Sequence, residues 1–298
     1  MNLILPIFIS KRFFSGIAAG IFGLIFVFLG GWWFTFSVGL IVHLALLEYF
    51  RMAKFAGMRP AIKTTLVACQ ILLFLTQLGA QGGLAQELSI AVLPLSGAAI
   101  CGWLLLQPIT GSIADIASSI FGLFYLGYLP SHWIRLRNLN DLDLISGLKL
   151  LSIHDNINLS SGMIITVFAC LLIVSSDIGS YVLGRKFGKH SLSQISPKKT
   201  IEGAIGGVGC ASLLGAFVGE LFGWQYGFLV GGLLGGLVAV FALVGDLTES
   251  MMKRNAGLKD SGDAIPGHGG ILDRIDSYLF TPAVIYYSFT LIVPLINN

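Results

Sequence analysis

Nine apolar runs dominate the sequence, at 13–30, 32–50, 64–80, 88–106, 109–129, 162–183, 202–222, 225–246 and 277–296. An α-helix rises about 1.5 Å per residue, so roughly 20 residues cross the hydrocarbon of a bilayer. The runs are close to that length, and none shows the alternation of a membrane β-strand. The expected fold is therefore all-α, a polytopic transmembrane helical protein of about nine spans whose polar loops carry the chemistry. Composition agrees, because only 11% of residues are charged against about 25% in soluble domains. Mean hydropathy is +0.85. A soluble core could not cover that much apolar surface. The net charge of +3 is too small to imply a nucleic-acid partner.

Charge placement gives an orientation. With the N-terminus inside, fifteen of the 18 Lys and Arg fall on inner segments, leaving Arg135, Arg137 and Lys149 in the outer loop 130–161. The positive-inside rule then predicts an odd number of spans and an integral membrane protein whose polar segments face the cytoplasm. The apolar Leu3–Ile9 reads as a retained lead into the first span, with no charged n-region or cleavage site. The four cysteines stand singly in the runs, without zinc or disulfide spacing.

The chain reads as a single membrane domain over 1–298. N-terminal helices occupy 1–129, a loop 130–161, and the helices that carry the chemistry 162–298. Gly203, Gly207, Ala211, Gly215, Gly219, Gly223, Gly227, Gly231, Gly235 and Ala239 recur every four residues. Small residues so spaced let helix backbones touch in lipid, which predicts helix packing; a dimer contact is the other use.

Charges in or beside spans are costly and mark function. Glu48 and Glu220 lie near span ends, where the interface can solvate them, and Asp115 opens a span beside Ser112 and Ser118. Asp246 differs through its companions. If its helix continues, Asp246, Ser250 and Lys253 share one face, and Glu249 and Lys253 make an i, i+4 pair. Gly262, Pro266, Gly267, Gly269 and Gly270 then break the helix, and glycine lets backbone N–H groups approach a phosphate. Asp273 and Asp276 follow on one face of the next helix. Hard oxygen ligands on two helix ends suit Mg²⁺, and Arg254, Lys259 and Arg274 would neutralise a polyphosphate. A second polar stretch, Asp177–Glu202, holds Gly184–His190. It has three residues between its glycines and His in place of Ser or Thr, so it is not a Walker loop. It remains a basic loop for lipid headgroups or substrate phosphates.

Together these stretches resemble the phosphatidate cytidylyltransferases, also called CDP-diacylglycerol synthases. The family's C-terminal signature is matched at Ser250, Lys253, Arg254, Lys259, Asp260, His268, Gly269, Gly270, Asp273, Arg274 and Asp276, with every interval kept. The upstream loop is similar at Asp177, Tyr181, Gly184, Arg185, Phe187, Gly188, Lys189, Ser196–Thr200, Glu202 and Gly203. Weaker similarity extends to Arg12, Ser15, Gly16 and Glu48. The resemblance implies that CTP and phosphatidic acid give CDP-diacylglycerol and pyrophosphate. It also implies dependence on Mg²⁺, a second cation of unnamed identity, and a homodimer in the bilayer.

On this basis Asp246, Asp273 and Asp276 are expected to hold metal. Lys253, Arg254, Lys259 and Arg274 are expected on CTP phosphates, with Asp260 and His268 beside them. Asp177, Arg185, Lys189, Ser196, Lys198, Lys199, Thr200, Ser250, Gly269 and Gly270 are expected to bind substrate. CDP-alcohol phosphatidyltransferases consume the same lipid, but their Asp-Gly and Ala-Arg signature is missing. A transporter, the alternative from another class, would spread its polar groups over two related halves. Here they crowd into one.

Overall fold

The computed structural model describes residues 20–80, 82–140, 145, 147, 160–262 and 269–297. Among the described residues, eight helices are long and apolar enough to cross a membrane. They are α2 (Gly31–Phe55), α3 (Ile62–Gly79), α4 (Leu84–Leu105), α5 (Ile113–Arg137), α6 (Ser161–Phe187), α7 (Ile201–Leu221), α8 (Gly227–Asn255) and α9 (Leu272–Ile296). A shorter apolar helix, α1 (Gly20–Leu29), precedes them. Residues 13–19 of the expected first span lie outside the described residues. The all-α polytopic membrane fold is the one found, and β structure among the described residues is limited to a bridge between Ser191 and Thr200.

Helix boundaries differ from the apolar runs where polar residues find partners. α5 continues past 129, so the loop expected from 130 begins after Arg137. A π-helical turn over Leu123–Tyr128 precedes Pro130, so the missing proline N–H falls where the helical register changes. Arg137 closes the helix end by donating from Nε to the Val27 carbonyl at 2.7 Å and from Nη1 to Ser160 Oγ at 2.9 Å. One of the basic residues expected in the outer loop is thus spent on structure. α8 likewise runs nine residues beyond Asp246, with Lys253 and Arg254 in the last turn, where cations complement the helix dipole.

The row of small residues is consumed within the chain. α7 and α8 pack as an antiparallel hairpin. A Cβ at Gly219 would strike the Gly227 carbonyl, one at Gly231 the Gly215 carbonyl, and one at Gly235 the Ala211 carbonyl. On the other side of α7, a Cβ on Gly179 of α6 would lie 2.8 Å from Cys210 Cβ. Packing, the expected role, is what these glycines do. Gly231→Val should therefore destabilise the protein by about 1–3 kcal/mol or more, the usual cost of overpacking. Gly209→Ala, where a Cβ meets nothing within 4 Å, should not. Thermal melts in detergent compare the two.

Candidate active site

Two helix junctions build the site. The first joins α6 to α7. Thr200 caps α7, its Oγ1 accepting from Gly203 N at 3.1 Å. Glu202 accepts from the Lys189 N–H at 3.1 Å and pairs with His190 Nδ1 at 2.6 Å, pinning the start of the connection to α7. The connection folds back on itself through Leu192 N to Lys199 O at 2.8 Å and Lys199 N to Ser196 O at 3.1 Å. Gly184 and Gly203 are glycines because the helices meet there: a Cβ on Gly203 would lie 2.8 Å from Ser180 O and 3.1 Å from Gly184 Cα. This turn carries Lys198 and Lys199 towards α8, where Lys199 Nζ forms an ion pair with Asp246.

The second junction joins α8 to α9. A Cβ at Gly245 would collide with the Asp276 carbonyl, so this glycine lets the start of α9 lie against α8. Asp246 and Asp276 are thereby brought within electrostatic reach of each other, and of Asp177 on α6. Asp276 Oδ1 accepts from Ser277 N at 2.7 Å.

The glycine loop between α8 and α9 hangs on two carboxylates. Asp273 Oδ2 accepts from Ser261 N at 3.0 Å, Ser261 Oγ at 2.9 Å and Gly270 N at 2.8 Å, while Oδ1 takes Lys253 Nζ at 2.6 Å. Glu48 comes from α2, more than 200 residues away in sequence. It accepts from Ser261 Oγ at 2.9 Å, Ile271 N at 2.9 Å and Leu272 N at 2.8 Å. It therefore grips both ends of the loop. A Cβ at Gly270 would occupy the space of Ser261 Oγ and the Glu48 carboxylate, and Gly269 has φ +81°, which favours glycine.

The interface role expected for Glu48 is replaced by this buried one, in which three donors satisfy the carboxylate. Glu249 makes the expected pair with Lys253. Glu249 is fully buried, and the same ammonium meets Asp273, so Lys253 sits between two acids.

These elements enclose a cavity of about 750 Å³. Of the residues picked out in the sequence, Asp177, Arg185, Lys198, Lys199, Thr200, Asp246, Lys253, Asp260, Asp273, Arg274 and Asp276 line it. Ser180, Tyr181 and Ser277 join them. Ser250 is buried outside the lining. Arg254 bridges the two junctions from outside, reaching Leu258 O at 3.3 Å and Ile195 O at 3.5 Å. Lys189, Ser196, Lys259, Gly269 and Gly270 also lie outside the lining, and His268 falls outside the described residues.

Five acidic and five basic side chains thus face one space in a chain only 11% charged. Such a space holds a polyanion through its bases and a divalent cation through its acids. Among the described residues no three of His, Cys, Asp and Glu stand close enough to form a ready metal cage. Mg²⁺ rarely needs one, since it is commonly held by one or two carboxylates together with substrate phosphates and water. Asp246 and Asp276 fit that description. Asp273, with both oxygens engaged, fits it less directly.

Comparison with known proteins gives a consistent relationship. Residues 10–292 match the sequence model described as the Cytidylyltransferase family. A phosphatidate cytidylyltransferase of Synechocystis sp. is 43% identical over 97% of this chain and 99% of its own length. The chloroplastic phosphatidate cytidylyltransferase 4 of Arabidopsis thaliana is 35% identical over 93% of this chain and 72% of its own. The phosphatidate cytidylyltransferase of Bacillus subtilis is 28% identical over 95% of this chain and 98% of its own. The chain belongs to the cytidylyltransferase family.

Proposed function

We infer that this protein is a phosphatidate cytidylyltransferase, an integral membrane nucleotidyltransferase of phospholipid biosynthesis that converts CTP and phosphatidic acid into CDP-diacylglycerol and pyrophosphate. The observation that carries the reading is the single cavity faced by five acids and five bases, in a chain similar along nearly its whole length to enzymes of that name. Phosphatidate is already ionised, so its phosphate oxygen can attack the α-phosphorus of CTP without a general base. The bond to the β-phosphate oxygen breaks, and pyrophosphate leaves with the developing charge. Positioning and charge neutralisation supply the catalysis in such transfers.

The proposed roles follow from position. Lys253, Arg274 and Arg185 are bases for the nucleotide's phosphates, with Lys198 and Lys199 on the turn that closes over them. Arg254 holds that turn to the loop after α8, and Lys259, Asp260 and His268 belong to the same loop. Asp246 and Asp276 are the carboxylates for Mg²⁺, and Asp273 would reach it by exchanging Lys253. Mg²⁺ supplies charge neutralisation at the phosphates when bound. A second cation, expected from the resemblance, has Asp177 as a further carboxylate of the cavity. The cytoplasmic orientation rests on the Lys and Arg count, and CTP is on that side. A homodimer is also proposed. Its contact is not the row Gly215, Gly219, Gly227, Gly231 and Gly235, which is used between α7 and α8.

The test is partition of label. Purified protein given Mg²⁺, phosphatidate and CTP labelled at the α-phosphorus should move the label into the lipid phase, one pyrophosphate per lipid product. Chelation should stop it. Label recovered as free CMP would instead indicate hydrolysis and overturn the assignment.

A further inference from the structure

Two adjoining cavities lie where α2 turns into α3 and α4 into α5, and they share no lining residue with the active-site cavity. One, of about 420 Å³, is an apolar trough along Leu47, Phe50, Phe55 and Ile62. The other, of about 730 Å³, is a bowl that meets the trough at Lys54 and Ile62 and is edged by Trp103. Its charged lining is Lys54, Arg59, Lys63 and Asp115.

The acid is already spent. Asp115 accepts from Arg59 N at 2.5 Å and Ser112 N at 2.8 Å, and the Arg59 guanidinium stands 3.9 Å away. Lys54 and Lys63 are exposed, and neither is salt-bridged among the described residues. The bowl therefore keeps two net positive charges at the end of an apolar groove, on the face to which the basic segments assign the cytoplasm.

We propose that this is a binding site for one anionic phospholipid, its phosphodiester in the bowl between Lys54 and Lys63 and an acyl chain in the trough. Two features select a lipid over a free anion. Phe55 and Leu47 of the trough, 59% and 44% exposed, belong to the span α2, so an acyl chain can follow the trough without leaving hydrocarbon while its headgroup meets the lysines, an arrangement that a free anion cannot use. Each Lys near an anionic leaflet contributes about 1 kcal/mol, so two lysines retain a lipid without the cage of donors that a soluble anion requires. The site serves a lipid other than the one that reacts, because its lysines line a cavity that shares no residue with the one lined by the carboxylates proposed to hold Mg²⁺.

The probe is phosphatidylglycerol, an anionic phosphodiester that lacks the monoester needed for cytidylyl transfer. Protein in phosphatidylcholine nanodiscs doped with phosphatidylglycerol is released into native mass spectrometry, and retained lipid is counted. Wild type should retain phosphatidylglycerol over phosphatidylcholine. The double variant Lys54→Gln, Lys63→Gln should bind it about thirtyfold more weakly, the effect of about 2 kcal/mol. Its melting temperature and its pyrophosphate release in detergent should stay unchanged, because neither lysine touches the cavity. Equal retention by the double variant overturns the site. Displacement of the lipid by millimolar inorganic phosphate overturns its assignment to a lipid. Failure of cytidylyl transfer in wild type would leave this binding result standing, so the two readings fail separately.

Discussion

Asp246→Asn should lower pyrophosphate release by about two to three orders of magnitude, the loss typical when one pre-organised electrostatic group is removed from a transition state. The substitution keeps the volume of the side chain and removes its charge. Asp246 is one-third exposed, but the Lys199 Nζ that it pairs with is buried and has no hydrogen-bond partner, so the variant leaves that ammonium uncompensated. The melting temperature in detergent should therefore fall by a few degrees, and turnover is compared well below it. Asp273→Asn should also abolish turnover, but for a mixed reason. Its carboxylate accepts from Ser261 and Gly270 and holds Lys253, so the loop and a base are lost with the charge. Asp246 is therefore the cleaner probe of cation binding.

Glu48→Gln is the second large effect, and it arises outside the cavity lining, one hydroxyl behind Asp273. Oε2 accepts from Ser261 Oγ and Leu272 N, and Oε1 from Ile271 N. An amide turns one of those acceptors into a donor, and each buried donor left unsatisfied costs about 1–3 kcal/mol. The loop then detaches from α2. Hydrogen exchange at Ile271 and Leu272 should quicken at least about tenfold, corresponding to about 1.4 kcal/mol. Exchange on α7 should not change. Activity should fall about ten- to a hundredfold, chiefly through weaker use of CTP. Unchanged exchange at both amides would contradict the role given to Glu48.

The apolar runs and the charge clusters carried much of this account, because lipid forces helices and penalises stray charge. The placing of Asp246 and Lys253 on one face depended on the helix continuing, and α8 does continue to Asn255. Ser250 shows the limit of such reasoning. It shares the spacing of its neighbours, yet packing buries it away from the cavity. Spacing finds a stripe, and neighbouring helices decide which part of the stripe stays open.

Other features were illegible for a different reason. Glu48 looked like any acid at a span end, since its three donors are supplied by residues more than 200 positions later. Gly245 falls outside the row of four-spaced small residues, yet its missing Cβ admits the start of α9 beside Asp246. Asp115 had no evident use until Arg59 and Ser112 met it. Arg135 and Arg137 follow an apolar run, where a charge usually marks a loop. Arg137 instead closes α5 through Val27 and Ser160. Except for Ser112, a local cap of Asp115, the partners come from distant segments, and local pattern contains no trace of them.

The central claim is that one cavity gathers the cation and the nucleotide phosphates, with Asp246 as a carboxylate for that cation. Electron paramagnetic resonance of Mn²⁺, used in place of Mg²⁺ with CTP present, tests it most directly. The account predicts that wild type depletes the free-ion signal, that Glu48→Gln does so at higher CTP, and that Asp246→Asn leaves the ion free at the same concentrations. Wild-type affinity of Asp246→Asn for Mn²⁺ and CTP would contradict it.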